Sequence, residues 1–244
     1  MTYCVGLRLD RGLVFMADTR TNAGVDNIST VRKMYTWCKP GDRLITLLSA
    51  GNLATTQTVV GLLEEHMKAA GERNPHIMEV PSMFQAARLI GDTVREVIKT
   101  ASDGGAQSEA AFGATFILGG QIAGGETRMF LIYPEGNFIE ATDDSPFFQI
   151  GEHKYGKPIL VRALDPDMSF EMAAKLLCVS FDSTLKSNLS VGLPLDLQFY
   201  GRDSLDKGYE KRFEASDPYY KAISDGWSDA LRAAFDSLPD FKRD

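Results

Sequence analysis

Residues 43–50, RLITLLSA, are apolar almost throughout, so a strand in this segment would present hydrophobic side chains on both of its faces. Such a strand is stable only where other layers of structure cover both faces. The turn residues Lys39-Pro40-Gly41-Asp42 precede it and join it to the run KMYTWC as a predicted hairpin. The pattern therefore indicates a sheet that is buried on both sides.

Helical spacing of apolar residues predicts two consecutive helices in the first half of the chain, from Asn52 to about Gly71 and from Pro81 to about Ala101. Two further helices are predicted in the second half, from about Ser169 to Thr184 and from Pro218 to Ser237. The last one lies in a segment rich in charged residues.

The other apolar runs predict strands grouped in hairpins. A first hairpin begins almost at residue 2 and turns at Asp10-Arg11-Gly12. Strands follow in FGATFILGGQI, in TRMFLIYPEGNFIEAT with its turn at Pro134-Glu135-Gly136-Asn137, and in LPLDLQFYGRD. Hairpins and paired helices without strict βαβ alternation are typical of antiparallel sheets covered by helices. We predict an α+β fold, a four-layer αββα sandwich in which the two consecutive helices cover one outer face and the later helices cover the other.

The 244 residues contain no Pro/Ser-rich linker and no internal repeat, and 44% of them are hydrophobic, which is enough to bury a core. We therefore expect a single domain. Residues 2–200 form its main part in this interpretation, and residues 201–244 are a helical extension of the same domain.

The charge distribution argues against two classes of partner. The net charge is −7 and no long Lys/Arg run is present, which opposes binding to nucleic acid or to anionic lipid. No apolar run approaches 18 residues, and the start MTYCVGLRLDRG lacks the basic and apolar regions of a leader peptide. Three separated cysteines, Cys4, Cys38 and Cys178, indicate neither disulfides nor a zinc site. We expect a cytoplasmic protein with no metal and no cofactor.

Three residues near the start of the chain could form a catalytic group. Thr2 opens the first strand, Asp18 ends the second, and Lys33 precedes the next, so all three can converge at one end of a sheet. Removal of Met1 would leave a threonine that carries both a hydroxyl nucleophile and a free amine as its base. A buried lysine held charged by a carboxylate would lower the pKa of the hydroxyl and keep the amine neutral. Taken singly, each residue also has an ordinary interpretation, as a second residue, a turn cap and a solvated charge.

The segments TYCVGLRLDRGLVFMADTRTN, Lys33 and LLSAGNLATTQTVVGLLEE, taken together, resemble the proteasome β-subunit family of N-terminal nucleophile hydrolases. The family pattern is a threonine at the mature N-terminus, D-x-R after the first hairpin, a lysine before the third strand, and a glycine turn followed by A-x-T-Q. FQIGEHKYGKPIL is similar to a segment of the bacterial proteasome-like group called Anbu. The resemblance covers roughly residues 2 to 200.

The resemblance implies roles for individual residues. Thr2 corresponds to the nucleophile, Asp18 to the carboxylate and Lys33 to the charge that tunes the hydroxyl. Gly51 corresponds to the glycine whose backbone N–H forms the oxyanion hole, a position where glycine allows close approach to a substrate. Further family positions fall on Asn22, whose backbone would pair with an extended substrate, and on Ser49 and Leu53, which would line the specificity pocket. A pocket lined by Leu53 favours small or apolar side chains.

The sequence departs from the family pattern at two places. A D-x-x-S pair is expected where KSNLS stands, which gives Ser187 and Ser190 and no aspartate; Asp182 lies five residues earlier and is expected to cap the helix or face solvent. The family loop G-S-G-x-Y reads Gly151-Glu152-His153-Lys154-Tyr155, so a serine near the amine becomes Glu152. A carboxylate there could keep the N-terminal amine protonated and make it a poorer base.

Three functions are compatible with the sequence. The first is a threonine peptidase that cleaves peptides or unfolded proteins through an ester on Thr2, after loss of Met1. The others are an amidase for small amides and an assembly subunit with a weak or disabled site. The resemblance implies a homo-oligomer of about a dozen subunits, either a closed ring or an open spiral. No motif identifies an ATPase unfoldase as a partner.

Overall fold

Two antiparallel sheets form the centre of the computed structural model, which describes residues 1–22, 28–69, 75–103 and 109–243. The strands, in chain order, are β1 (Tyr3–Leu9), β2 (Gly12–Asp18), β3 (Arg20–Asn22), β4 (Ile28–Thr30), β5 (Met34–Lys39), β6 (Arg43–Gly51), β7 (Ala114–Ile122), β8 (Arg128–Ile132), β9 (Phe138–Glu140), β10 (Phe147–Gly151), β11 (Leu195–Gly201) and β12 (Tyr209–Phe213). The first sheet has the order β10-β1-β2-β11-β12, and the second has the order β5-β6-β7-β8-β9. The short hairpin β3-β4 stands apart from both.

The helices are α1 (Leu53–Lys68), α2 (Met83–Asp103), α3 (Lys157–Ala163), α4 (Phe170–Ser187) and α5 (Pro218–Asp236), with a short 3₁₀ helix at Glu109–Phe112. Side-chain caps fix several of their first turns: Asn52 accepts from the N–H of Thr55, and Asp217 accepts from the N–H of Tyr220. The observed boundaries lie within a few residues of the predicted ones. Gly71, the predicted end of the first helix, lies outside the described residues.

Three groups of buried residues establish the order of the layers. One group joins α1 and α2 to the second sheet, and another joins α3, α4 and α5 to the first sheet. The third lies between the two sheets and includes Phe15, Leu48, Ile117 and Tyr200. The predicted αββα sandwich, with the consecutive helices on one outer face and the later helices on the other, is therefore confirmed.

The strands that are apolar on both faces have a simple explanation in this arrangement. Along β2, Val14 and Met16 face the helices, whereas Leu13, Phe15 and Ala17 face the other sheet. Residues 44–50 of β6 are likewise all buried. Because each sheet is covered on both sides, the usual alternation of polar and apolar residues is lost.

Several short elements carry no strong sequence signal and were not predicted from the pattern: β10, β12, α3 and the small hairpin β3-β4. Strand β12 lies in the segment after residue 200 and pairs with β11, while Tyr220 of α5 is buried in the core that contains β1. No helix in the described ranges combines the length and apolar character that a membrane span needs.

Candidate active site

The chain start is fixed at one end of the first sheet through Tyr3, which is fully buried. Its backbone N–H donates to Oδ1 of Asp18 at 2.9 Å, and its hydroxyl lies 2.8 Å from the hydroxyl of Ser180 on α4. The Tyr3 and Phe181 rings are also in contact, with centroids 4.4 Å apart. These contacts hold the residue next to Thr2 to both the sheet and the helix layer behind it.

Asp18 and Lys33 form a buried ion pair beside this chain start. Lys33 Nζ donates to Asp18 Oδ1 at 2.8 Å and to the carbonyl of Arg20 at 2.6 Å, and the two side chains are 5% and 0% exposed. Asp18 Oδ2 also accepts from the N–H of Gly192 at 3.3 Å. Burial raises the pKa of Asp18, while the Lys33 charge and the donors on Asp18 oppose that shift. The structure thus brings Asp18 and Lys33 together next to Thr2.

A cavity of about 520 Å³, here called the nucleophile cavity, opens beside Thr2. Its walls contain predicted site residues from three parts of the chain, together with residues that the sequence did not single out: Met1, Thr2, Thr21, Arg32, Lys33, Ser49, Ala50, Gly51, Leu53, Thr56 and Gly151. Ser49 and Leu53 therefore face the same space as Thr2. Asn22 ends β3, where it lies opposite Ile28 of β4.

Gly51 lies at the end of β6, one residue before the Asn52 cap of α1. Its φ of +113° is in the region that favours glycine, and a Cβ at this position would collide with the carbonyl of Gly113. The chain here turns from a buried strand into a helix on the wall of the nucleophile cavity. Side-chain substitution at this turn would strain the backbone.

Glu152 is bound to Thr2 through the backbone, its N–H donating to the Thr2 carbonyl at 2.6 Å. Its carboxylate is buried and accepts from the N–H groups of His153 and Lys154 and from the side-chain amide of Asn188, all at 2.8 Å. Although burial acts in the opposite direction, these three donors hold the pKa of Glu152 below its ordinary range. Its proposed effect on the amine of Thr2 stays a prediction.

A second cavity of about 490 Å³, here called the Glu152 cavity, lies on the other side of Met1. It is lined by the residues that follow β10 and by those that end α4: Met1, Gly151, Glu152, His153, Lys154, Tyr155, Ser187, Asn188, Leu189 and Ser190. Ser187 is exposed, whereas Asn188 is buried and connects Ser190 to Glu152, since its Oδ1 accepts from the N–H of Ser190 at 3.0 Å. The structure brings Ser187 and Ser190 to this cavity.

Asp182 does not cap the helix or face solvent, as the sequence suggested. It is 3% exposed on the inner side of α4, and Lys186 one turn later pairs with it at 3.0 Å. That expectation was wrong because a single aspartate among mixed residues does not indicate which side of the helix α5 covers.

Met1 lines both cavities and is 65% exposed. Burial, followed by the charge of Lys33, lowers the pKa of its amine below the ordinary value of 8.0, and Asp18 opposes the shift. The N-terminal amine of the chain therefore lies within the field of the Asp18–Lys33 pair.

The sequence did not point to four residues that the structure brings to this site, namely Tyr3, Arg32, Asn188 and Gly192. Only Arg32 had a local signal, since it directly precedes Lys33. The other three act through contacts that no spacing rule reveals. Among the described residues, no three His, Cys, Asp or Glu side chains are grouped so that they could hold a metal ion.

Comparisons with known proteins agree with this geometry. The family model "Proteasome subunit" matches residues 2–192. A structure of an Anbu (Gly-1) mutant from Hyphomicrobium sp. strain MC1 has 55% sequence identity and a TM-score of 0.91, with 100% of both chains covered. Anbu (ancestral beta-subunit) from Yersinia bercovieri has 49% identity and a TM-score of 0.91, over 99% of this chain and 100% of that one. A structure described as the helical assembly of the Anbu complex from Pseudomonas aeruginosa has 46% identity and a TM-score of 0.91, over 99% and 98%. A search of curated protein sequences gave no match.

Proposed function

Because the chain belongs to the proteasome subunit family, within its Anbu group, we propose that it hydrolyses peptide bonds through Thr2 once Met1 is removed. The family makes it a proteasome-type N-terminal nucleophile hydrolase. The observation that carries the peptidase proposal is the buried contact of Asp18 Oδ1 with both Lys33 and the backbone of Tyr3. The Asp18 carboxylate thereby positions both Tyr3, which is next to Thr2 in the chain, and Lys33, whose charge activates Thr2.

In the proposed reaction, the free amine of Thr2 takes the proton from its own hydroxyl as Oγ attacks the substrate carbonyl. The backbone N–H of Gly51 donates to the negative oxygen that forms. The peptide C–N bond then breaks, and the ammonium of Thr2 returns the proton to the leaving amine. Water, deprotonated by the same amine, attacks the resulting ester, and release of the acid restores the hydroxyl of Thr2.

Lys33 contributes its positive charge to these steps. Two of its three N–H groups are engaged by Asp18 and Arg20 in the described part of the chain, which leaves the third for Oγ of Thr2. A fixed cation at this position lowers the hydroxyl pKa and disfavours a proton on the nearby amine. Both effects favour transfer of the hydroxyl proton to the amine at neutral pH.

The two cavities suit the two sides of a cleaved bond. Asn22 ends the strand next to the nucleophile cavity and offers its backbone to an extended peptide, with Ser49 and Leu53 in contact with the side chain before the cleaved bond. The Glu152 cavity, lined by Ser187 and Ser190, then receives the leaving part of the substrate. We take peptides and unfolded proteins as the substrates.

We also propose that the chain acts as a large homo-oligomer, in keeping with the helical assembly of the Pseudomonas aeruginosa protein. Phe84 on α2 is 44% exposed, and Leu231 and Phe235 on α5 are 50% and 75% exposed, so both outer layers offer apolar side chains to neighbours. A contact repeated between unlike surfaces closes into a ring or continues as a spiral, according to its rotation. The helical assembly of the Pseudomonas aeruginosa protein supports the spiral.

An assembly subunit with little activity is a second candidate function. Its support is the chemistry of the Glu152 cavity, where Ser187 stands at the family's aspartate position and Glu152 at a serine position. The two candidates differ in whether Thr2 reacts.

The test uses assembled protein whose intact mass shows loss of Met1, treated with a peptide epoxyketone that forms its ring product only with both the hydroxyl and the free amine of Thr2. We expect an adduct and peptide cleavage in the wild type, slower cleavage in Thr2→Ser, and a loss on the order of 10³-fold or more in Thr2→Ala at unchanged melting temperature. Assembly without adduct or cleavage would contradict the peptidase and support the assembly subunit.

Light scattering during gel filtration tests the oligomer, and a mass near 26.9 kDa would contradict it.

A further inference from the structure

The nucleophile cavity carries a positive charge that Ser49 and Leu53, the pocket residues predicted from the sequence, do not explain. Among its described lining residues are two cations, Arg32 and Lys33, and no aspartate or glutamate. Lys33 is neutralised by Asp18 behind the wall, at 2.8 Å. Arg32 therefore gives the cavity its excess positive charge.

Arg32 is held in place although it is exposed. Its Nε donates to the carbonyl of Met34 at 2.8 Å, and its guanidinium carbon lies 5.8 Å from the centre of the Tyr35 ring. The Tyr35 hydroxyl donates in turn to the Arg32 carbonyl at 2.9 Å. Within the described residues only Nε of the Arg32 guanidinium has a hydrogen-bond partner, so both Nη groups can bind a planar, two-oxygen acceptor.

Two carboxylates close to Arg32, outside the nucleophile cavity, have other partners. Arg32 also borders a neighbouring cavity that contains Asp196 and Glu210. Asp196 is held by Arg212 through two bonds of 2.7 and 2.9 Å, and Glu210 pairs with Lys207 at 2.8 Å. Within the described ranges no acidic side chain forms an ion pair with Arg32.

On these grounds we propose that Arg32 selects substrates with an acidic side chain, glutamate or aspartate, immediately before the cleaved bond. The inference rests on the proposed peptidase function and names its substrate class. Leu53 contacts the aliphatic part of such a side chain, and the Arg32 guanidinium binds its carboxylate. Ser49 and Thr56 add hydroxyl groups to the wall, which suits a polar side chain better than the apolar one that Leu53 alone suggests. Lysine and arginine side chains are repelled by Arg32.

The experiment compares peptides that differ only at this residue: glutamate, its neutral isostere glutamine, leucine and arginine. Binding of the fluorescent, C-terminally amidated peptides to assembled Thr2→Ala protein is measured by anisotropy, and cleavage by the wild type is measured in parallel. We expect glutamate to exceed glutamine about tenfold in both measurements, with arginine weakest. Arg32→Gln should remove the glutamate preference, and Arg32→Glu should reverse it in favour of arginine.

Two variants serve as controls. Lys154→Ala removes the exposed cation of the Glu152 cavity, and Arg95→Ala removes an exposed arginine on α2 that pairs with Asp92. Both are expected to keep the glutamate preference. Equal binding of glutamate and glutamine peptides would overturn the inference, as would a preference lost in Lys154→Ala and kept in Arg32→Gln. Selective binding without any cleavage would support the role of Arg32 and contradict only the peptidase.

Discussion

Tyr3 and Asp18 are joined by a hydrogen bond of 2.9 Å from the backbone N–H of Tyr3 to a carboxylate oxygen that also accepts from Lys33. The position of the proposed nucleophile and the charge beside it therefore depend on one buried atom. Changes at any of these residues affect both stability and reactivity, which the following predictions separate.

Removal of Lys33 would leave the Asp18 carboxylate buried without its counter-charge. We expect Lys33→Met to lower the free energy of unfolding by about 3–5 kcal/mol. Adding Asp18→Asn should recover part of this loss, because the amide oxygen still accepts from Tyr3 and carries no charge. Urea unfolding at pH 7 measures the effect. Lys99→Met, at an exposed position of α2, is the control and should change stability by no more than about 0.5 kcal/mol. If Lys33→Met alone were as stable as the wild type, this result would contradict a stabilising role of the buried Asp18–Lys33 pair.

The pH dependence of the proposed hydrolysis reports the pKa of the Thr2 amine, the base in the proposed reaction. Only the neutral amine accepts the hydroxyl proton, so activity rises as the pH rises through the amine pKa. Burial and the Lys33 charge lower the pKa of the amine of Met1, and Thr2, which becomes the first residue when Met1 is removed, lines the same cavity as Lys33. We therefore expect the acid limb of kcat/KM to have its midpoint below 8.0, the ordinary value. A midpoint above 8.0 would instead support the interpretation that Glu152 stabilises the protonated amine.

Gly151 has a φ of +82°, and a Cβ there would collide with the carbonyl of Thr2. We expect Gly151→Ala to lower stability by about 1–3 kcal/mol through backbone strain and to reduce epoxyketone labelling of Thr2. Gly61, inside α1, has no atom within 4 Å of an added Cβ. Gly61→Ala should therefore raise stability by up to about 1 kcal/mol at unchanged labelling. Thermal unfolding and intact mass after labelling measure both effects, and normal labelling of Gly151→Ala would contradict the close approach.

Glu152 should contribute to stability in a defined pH range. Its pKa in the folded chain is lowered below the ordinary value of 4.5, because the donors from Lys154, Asn188 and His153 outweigh the effect of burial. The contribution is therefore fully present above the ordinary pKa and is lost as the pH falls through the folded pKa. We expect the stability difference between the wild type and Glu152→Gln to be constant above about pH 5.5 and to shrink in acid. Asn188→Ala removes one donor and should shift this loss to higher pH. If this stability difference did not change with pH, the result would contradict the view that the Glu152 carboxylate is ionised in the folded chain.

The sequence predicts the parts of this molecule that depend on nearby residues. The continuous apolar run of β6 requires cover on two sides, and the four layers follow from it. The convergence of Thr2 and Asp18 follows from a tight hairpin, since Cys4 pairs with Ala17.

The remaining features of the site depend on contacts between residues that are far apart in the sequence. Gly192 meets Asp18 across 174 residues, and Asn188 meets Glu152 across 36. Nothing in KSNLS distinguishes the buried Asn188 from the exposed Ser187, because the distinction arises only when Asn188 meets Glu152, the residue after β10. The edge strands β10 and β12 were also missed, since five residues are too few to show a period.

The bond from Gly192 to Asp18 also determines when the site can exist during synthesis. A ribosome adds about 5–20 residues per second, so roughly 9–35 s separate the appearance of Asp18 from that of Gly192, 174 residues later. β1 and β2 are synthesised well before β10 and β11, the strands that flank them in the sheet. The nascent chain therefore carries no complete form of the proposed nucleophile site until β11 has been synthesised and has paired with β2.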